Sequence, residues 1–253
     1  MIFPPIACLI VLILVIAYAL YANYKDRKLI ELVTPITRGN WSERRLVLRL
    51  LKAGINPKAI FHDLYIRKPN GEYTQIDAVV ATSAGLIVFE VKHYSGWIFG
   101  NSTNRYWTQI LAYGREKHRF YNPIMQNEGH IRAIRKCLLE NPGIPIYSVV
   151  VFFGRCELKS ISCYAENTAI IYPSSITKVV KDILAMPNAQ YGNKHEIMNV
   201  FTQAVQNGND EQIVLSQMNT AAYYGRNTPQ SSYYISLGSL FRFRGFPFNK
   251  RFW

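Results

Sequence analysis

The stretch YTQIDAVVATSAGLIVFEVK, residues 73–92, decides the fold. Two short β-rich runs, 73–81 and 86–92, flank Thr82-Ser83-Ala84-Gly85, a turn signal that joins them as an antiparallel hairpin. A third such run, 59–68, precedes them behind the turn Pro69-Asn70-Gly71-Glu72, so the three form a meander. Upstream, Leu46, Val47, Leu50 and Leu51 recur at helical spacing from Ser42 until Gly54 and Pro57 stop the helix. Downstream, short strands are expected at Trp97–Phe99 and Tyr106–Leu111. Pro123 then opens a helix to about Glu140, and IYSVVVFFG, 146–154, reads as a central strand buried on both faces. A last strand at 168–173 and helices near 174–185, 194–206 and 209–220 follow. Helix, meander, helix, strand is the order of an α/β domain with one mixed β-sheet flanked by helices.

The 253 residues are 49% hydrophobic and 18% charged, too apolar for a disordered chain. Lys and Arg number 29 against 16 acids, and the net charge of +13 favours nucleic acid or anionic lipid as partner. Cys8, Cys137, Cys156 and Cys163 form no CxxC pair, which argues against a zinc site or a disulfide framework. From Ile2 to Tyr24 no residue is charged, and the aliphatic run is long enough to cross a bilayer as a helix. Lys25-Asp26-Arg27-Lys28 follows it, which places that end in the cytoplasm by the positive-inside rule, with Tyr18, Tyr21 and Tyr24 suited to the interface. A cleaved signal peptide, with Ala17-Tyr18-Ala19 as its site, is the competing reading; the length of the run and the lack of a basic residue before it favour a retained anchor. The organisation expected is an anchor at 1–24, a juxtamembrane linker at 25–38, a domain at 39–222 and a basic aromatic tail at 223–253.

Asp and Glu are depleted from strands, yet Asp77 lies within the first run of the hairpin and Glu90 within the second. A buried carboxylate needs compensation. Lys92, two residues beyond Glu90, points to the same side of its strand, and pairing through the turn brings Asp77 near both. Two carboxylates beside an amine suit Mg²⁺ or Mn²⁺ and phosphodiester hydrolysis. A buried Glu90–Lys92 ion pair is the plainer alternative, since an isolated E-x-K arises easily by chance. Glu43 falls on the packing face of its helix, where it is either an N-terminal acid favoured by the dipole, with Asn40 or Ser42 as cap, or part of the same site. Gln126 and His130 share one face of the helix after Pro123. His130 is read as structural.

Taken together, residues 39–138 resemble the NERD domain, the nuclease-related domain of the PD-(D/E)XK restriction-endonuclease-like superfamily. Gly39-Asn40-Trp41-Ser42-Glu43 resembles its G-x-x-G-E start, with Ser42 in place of the second Gly. Gln75-Ile76-Asp77 resembles its acidic strand, Phe89-Glu90-Val91-Lys92 its E-x-K, and Asn122-Pro123-Ile124-Met125-Gln126-Asn127 its N-P-x-x-Q-N helix start. The resemblance implies a mixed β-sheet flanked by helices, with Asp77, Glu90 and the main-chain carbonyl of Val91 holding Mg²⁺ or Mn²⁺, Lys92 catalytic, and Glu43 and Gln126 supporting the site.

Arg115, Lys117 and Arg119, in the basic segment 114–121, are candidates to hold phosphates. The tail interleaves cations with aromatics in FRFRGFPFNKRFW, a mixture suited to single-stranded nucleic acid, to anionic lipid or to packing on the domain. The function expected is that of a membrane-anchored, metal-dependent nuclease acting on DNA. The alternative is a non-catalytic nucleic-acid-binding or assembly module at the membrane.

Overall fold

A computed structural model describes residues 5–111 and 114–226. The hairpin takes the register its turn dictates: β2 (Tyr73–Thr82) and β3 (Gly85–His93) run antiparallel with Thr82 opposite Gly85, Val80 opposite Ile87 and Ala78 opposite Phe89. Gly85 has φ +131°, and a Cβ there would lie 2.3 Å from the Pro145 carbonyl oxygen, so the turn admits only glycine. β1 (Ile60–Arg67) pairs antiparallel on the far side of β2; β7 (Ile146–Phe153) joins β3 in parallel and β9 (Thr168–Ile171) joins β7 in parallel. The sheet is mixed, in the order β1-β2-β3-β7-β9.

Both faces of this sheet are covered. On one side α2 (Trp41–Lys52) and α4 (Ile176–Leu184) lay Leu46, Val47, Leu50, Val180 and Ile183 against Ala78, Val80, Phe89 and Val151. On the other, α3 (Pro123–Cys137) and α5 (Lys194–Asn207) bring Ile134, Ile197 and Phe201 onto Ile76, Val79, Leu86 and Val88. Leu46, Leu50, Ile76, Val79, Phe89 and Phe201 are fully buried, and each such side chain contributes about 1.5–3 kcal/mol by leaving water.

A second sheet is present where one was expected. Its order is β6-β5-β4-β8, from β4 (Gly96–Asn101), β5 (Tyr106–Leu111), β6 (Glu116–Tyr121) and β8 (Cys156–Ser162). Its inner face packs Ile98 and Trp107 on Ile124, Val150 and Phe152, with the Trp107 and Phe152 rings stacked 6.1 Å apart. The basic segment 114–121 is mostly β6. Its sequence, EKHRFY, hides a strand because the alternation that counts is between Phe120 facing inward and cations facing outward, not between apolar and polar at every second position.

At the N-terminus α1 (Pro5–Glu31) contains one span long and apolar enough to cross a membrane, Ala7–Glu31, with mean hydropathy 2.2 in its most apolar window and none of that window buried in the protein. The helix does not end at Tyr24; it runs on through the expected linker to Glu31. There Asp26 pairs with Lys52 of α2 at 2.7 Å and Ile30 is buried. Thr34 and Arg38, also buried, carry the chain directly into α2. The last helix among the described residues, α6 (Glu211–Arg226), extends past residue 222, so the expected tail begins inside it; residues 227–253 lie outside the described residues. All four cysteines are free.

One side chain fastens the second sheet to α3. Asn122, fully buried, caps α3 by accepting from the Ile124 N–H at 2.9 Å and donates to the carbonyls of Asn101, Ser102 and Asn104 at 3.1, 3.2 and 2.8 Å. Asn122→Ala leaves these groups without their partner and is expected to cost about 2–4 kcal/mol, measured as a drop in the midpoint of denaturant unfolding.

Candidate active site

The β2–β3 ladder ends at Ala78 opposite Phe89, although both strands continue. β2 stays with β1 as far as Tyr73 while β3 stays with β7 as far as His93, so the strands part and leave a wedge open on the sheet. Asp77 and Glu90, the next pair in register, stand at its apex. In the wedge the Val91 N–H donates to Asp77 Oδ2 at 2.6 Å, replacing the strand-to-strand bond lost there. The N–H and C=O of one residue in a strand point to the same edge, so the Val91 carbonyl also opens toward the wedge.

β1 bends at the same level. Asp63 would face Asp77 but drops out of the pairing with φ +57°, a left-handed conformation that Asp tolerates better than most residues. Arg38 holds it there, donating from Nε to Asp63 Oδ2 at 2.8 Å and from Nη2 to the Asp63 carbonyl at 2.7 Å, while Gln75 Nε2 reaches Oδ1 at 2.7 Å. Gln75 of the Gln75-Ile76-Asp77 motif is therefore a brace for the bend.

Glu90 is sealed on the α3 side of the sheet, 2% exposed. Lys92 Nζ lies 2.7 Å from its Oε1, and His130 Nε2 lies 3.2 Å from its Oε2. His130 Nδ1 in turn meets Thr74 Oγ1 at 3.0 Å, and Lys92 donates to Gln126 Oε1 at 2.9 Å. Of the N-P-x-x-Q-N motif, Gln126 thus reaches the site, whereas Asn127 is fully buried and ties Val88 O and Ser148 Oγ to α3, each at 2.9 Å. His130, read from sequence as structural, orients the Glu90 carboxylate.

Glu43 closes a capping box. It occupies N3 of α2, receives the Asn40 N–H at 3.1 Å and the Asn40 side-chain amide, and is 6% exposed. Asn40, not Ser42, is the cap. The carboxylate also faces inward, with Oε2 3.6 Å from His62 Nε2 and its charge felt at Asp77. Gly39 makes this approach possible: its φ is +68°, and a Cβ there would lie 2.5 Å from both Glu43 Oε2 and His62. Ser42, the departure from the family pattern, is buried with its hydroxyl 2.6 Å from His93 Nδ1, linking the start of α2 to the residue after Lys92.

The charges are unevenly compensated. Burial, then the negative charges of Glu90 and Glu43, raise the Asp77 carboxyl well above its usual range, outweighing the Val91 N–H and Lys92. Burial also works against ionised Glu90, but Lys92 and His130 prevail and hold it below the ordinary value. Burial disfavours the Lys92 ammonium, yet Glu90 and Asp77 raise its affinity for the proton, so it remains a cation. Asp77 and Lys92 keep some exposed surface at the mouth of the wedge while Glu90 does not. Among the described residues no three His, Cys, Asp or Glu side chains form a metal-binding group. A hard cation would take Asp77, Glu90, the Val91 carbonyl and otherwise water or phosphate oxygens, a donor set that fits Mg²⁺ or Mn²⁺. The strained ionisation of Asp77 agrees with that fit.

Arg115, Lys117 and Arg119 do not join this cluster. Arg115 is exposed in the turn before β6, and Lys117 and Arg119 are exposed on β6, at the edge of the second sheet. Thr74, His62, Asp63 and Arg38 were not singled out in the sequence. Asp63 carried a usable signal, as an acid inside the apolar run IFHDLYIR, but the other three resemble ordinary structural positions.

A family model described as the nuclease-related domain, NERD, matches residues 38–153, from the Arg38 brace to the end of β7, and so takes in the whole cluster. An uncharacterized protein of Bacillus anthracis is 33% identical over 149 residues, covering 58% of this chain and 68% of that protein. No solved structure matches the chain. The chain belongs to the nuclease-related domain family, in keeping with the PD-(D/E)XK form of Asp77 and Glu90-Val91-Lys92.

Because Asp77 binds a proton more readily folded than unfolded, its ionisation opposes folding in the absence of a cation, and the stability it contributes while protonated is lost as pH rises through its folded value. Asp77→Asn is therefore expected to raise the melting temperature near pH 8 in chelator. The gain should shrink as pH falls toward about 4, the ordinary Asp range, and thermal scans over that pH series check it. In a second measurement, Gly39→Ala is expected to cost about 1–3 kcal/mol, since the side chain must enter a left-handed position with no free space.

Proposed function

We propose that the protein is a membrane-anchored nuclease that hydrolyses DNA phosphodiester bonds with Mg²⁺ or Mn²⁺, its domain facing the cytoplasm and α1 crossing the bilayer. The observation that carries this reading is the meeting of Asp77, Glu90 and Lys92 at the apex of a wedge whose backbone polar groups face the same opening. A bound divalent ion supplies Lewis-acid polarisation of a phosphoryl oxygen and of the attacking water.

This chain's own groups do the remainder. The Lys92 ammonium, fixed between Glu90 and Gln126, offers an N–H to a phosphate oxygen or to the water while staying protonated. His130 and Thr74 keep Glu90 from rotating, and the Val91 N–H keeps Asp77 turned into the wedge. Glu43 adds negative charge behind Asp77, which favours a cation at that place. Lys25, Arg27 and Lys28 at the end of the apolar run support the orientation of α1.

A second reading has its own support. Both Glu90 oxygens already have partners, Lys92 and His130, as a purely structural ion pair would. In that case the domain binds nucleic acid or organises an assembly at the membrane without cutting.

One assay separates the two. The detergent-solubilised full chain is incubated with single- and double-stranded DNA, with and without Mg²⁺ or Mn²⁺, beside Asp77→Ala, Glu90→Ala and Lys92→Ala. Metal-dependent cleavage that falls by about 100-fold or more in each variant is expected. Equal cutting by Glu90→Ala removes the assignment, and salt-sensitive binding without any cleavage establishes the second reading.

A further inference from the structure

The second sheet has an outer face that the site does not use. Along β6, Lys117, Arg119 and Tyr121 are exposed, while Phe120 between them turns into the core. Their cross-strand neighbours on β5 are Ile110, Thr108 and Tyr106. At one end Tyr106 and Tyr121 meet edge to face with centroids 6.3 Å apart, and two guanidiniums flank the Tyr106 ring, Arg105 at 5.6 Å and Arg119 at 5.2 Å. At the other end Trp97 of β4 lies opposite Ile110, with Lys159 over its ring at 5.4 Å.

Cations outnumber acids on this face. Among the described residues Arg105, Lys117 and Arg119 make no ion pair. Glu157, beside Trp97 in register, is paired with Lys159 at 2.6 Å, and Glu116 approaches His118 at 3.6 Å. A guanidinium lying on a ring keeps its N–H groups free at the rim for phosphate oxygens. Tyr121, 42% exposed, offers a ring to an unpaired base.

We propose that this face is a docking platform for single-stranded nucleic acid, with Arg105, Lys117 and Arg119 on the phosphates and Tyr121 and Tyr106 against the bases. It deepens the nuclease reading by naming an unpaired strand as the substrate, and rests on that reading for what happens after binding. The rings decide between single strand and duplex, because bases stacked inside a helix cannot use them. The platform is tied to the helix that serves the site: Tyr121 is followed by Asn122, which pins the Asn101–Asn104 turn to α3, the helix that brings Gln126 to Lys92. The tail of this chain is a poor occupant, since after Arg226 it carries Arg242, Arg244, Lys250 and Arg251 and no acid.

The test measures binding by the full chain in detergent, with chelator present, to labelled oligothymidine, oligouridine and a duplex of equal length. Arg105→Gln with Arg119→Gln is expected to weaken single-strand binding about tenfold or more and to reduce the salt slope by about 1.4, two phosphate contacts at about 0.7 each. Tyr121→Ala is expected to weaken both single strands about fivefold or more and to leave the duplex within about twofold. Wild-type binding by these variants, equal losses on duplex and single strand, capture of anionic phospholipid vesicles in preference to oligonucleotide, or oligonucleotide binding that appears only after deletion of 227–253 would each overturn the platform. Failure of the two readings is distinguishable. Variant-sensitive single-strand binding by a chain that never cleaves removes the nuclease and keeps the platform; cleavage intact in variants that bind normally does the reverse.

Discussion

The parting of β2 from β3 after Ala78 is the constraint on which the rest depends. A sheet interior punishes such a break, because each unpaired N–H or C=O left away from water costs about as much as a lost hydrogen bond. Here the Asp77 carboxylate replaces the missing backbone partner of Val91. The bend at Asp63 and its grip by Arg38 and Gln75 belong to the same break, since β1 must follow β2 as it turns.

That geometry concentrates negative charge in a low-dielectric place and then compensates only half of it. Glu90 has an ammonium and an imidazole beside it; at Asp77 the Val91 N–H and the charge of Lys92 do not offset burial and the repulsion of Glu90 and Glu43. A fold selected for stability alone gains nothing by leaving one of two adjacent acids undercompensated. The imbalance lies at the partly exposed mouth, where Asp77 and Lys92 keep contact with solvent.

Much of this was legible in the residues. The meander could be read from short β-rich runs and turn chemistry, and Asp77 and Glu90 stood out because acids are out of place in such runs. Their convergence followed from the tightness of the turn at 82–85. The second sheet was not legible as a sheet: β8 and β6 carry charged or small residues on an exposed face, and its inner face is declared by a scatter of apolar residues, Ile98, Trp107, Phe120, Leu158 and Ile161, with no regular pattern. His130 read as a satisfied histidine, and Glu43 could be read equally as a helix-terminal acid or as part of the site. Each has its local role and also touches the site, and no local pattern separates the two roles. Thr74, His62 and Arg38 act through contacts distant in sequence, which spacing cannot show.

The uninterrupted course of α1 into its seat beside α2 has a mechanical consequence. A domain on a leash samples a volume set by linker length, but here the Asp26–Lys52 pair and buried Ile30, Thr34 and Arg38 leave no leash. Were α1 to cross a bilayer, these contacts, in place of a flexible linker, would set how far the wedge stands from it.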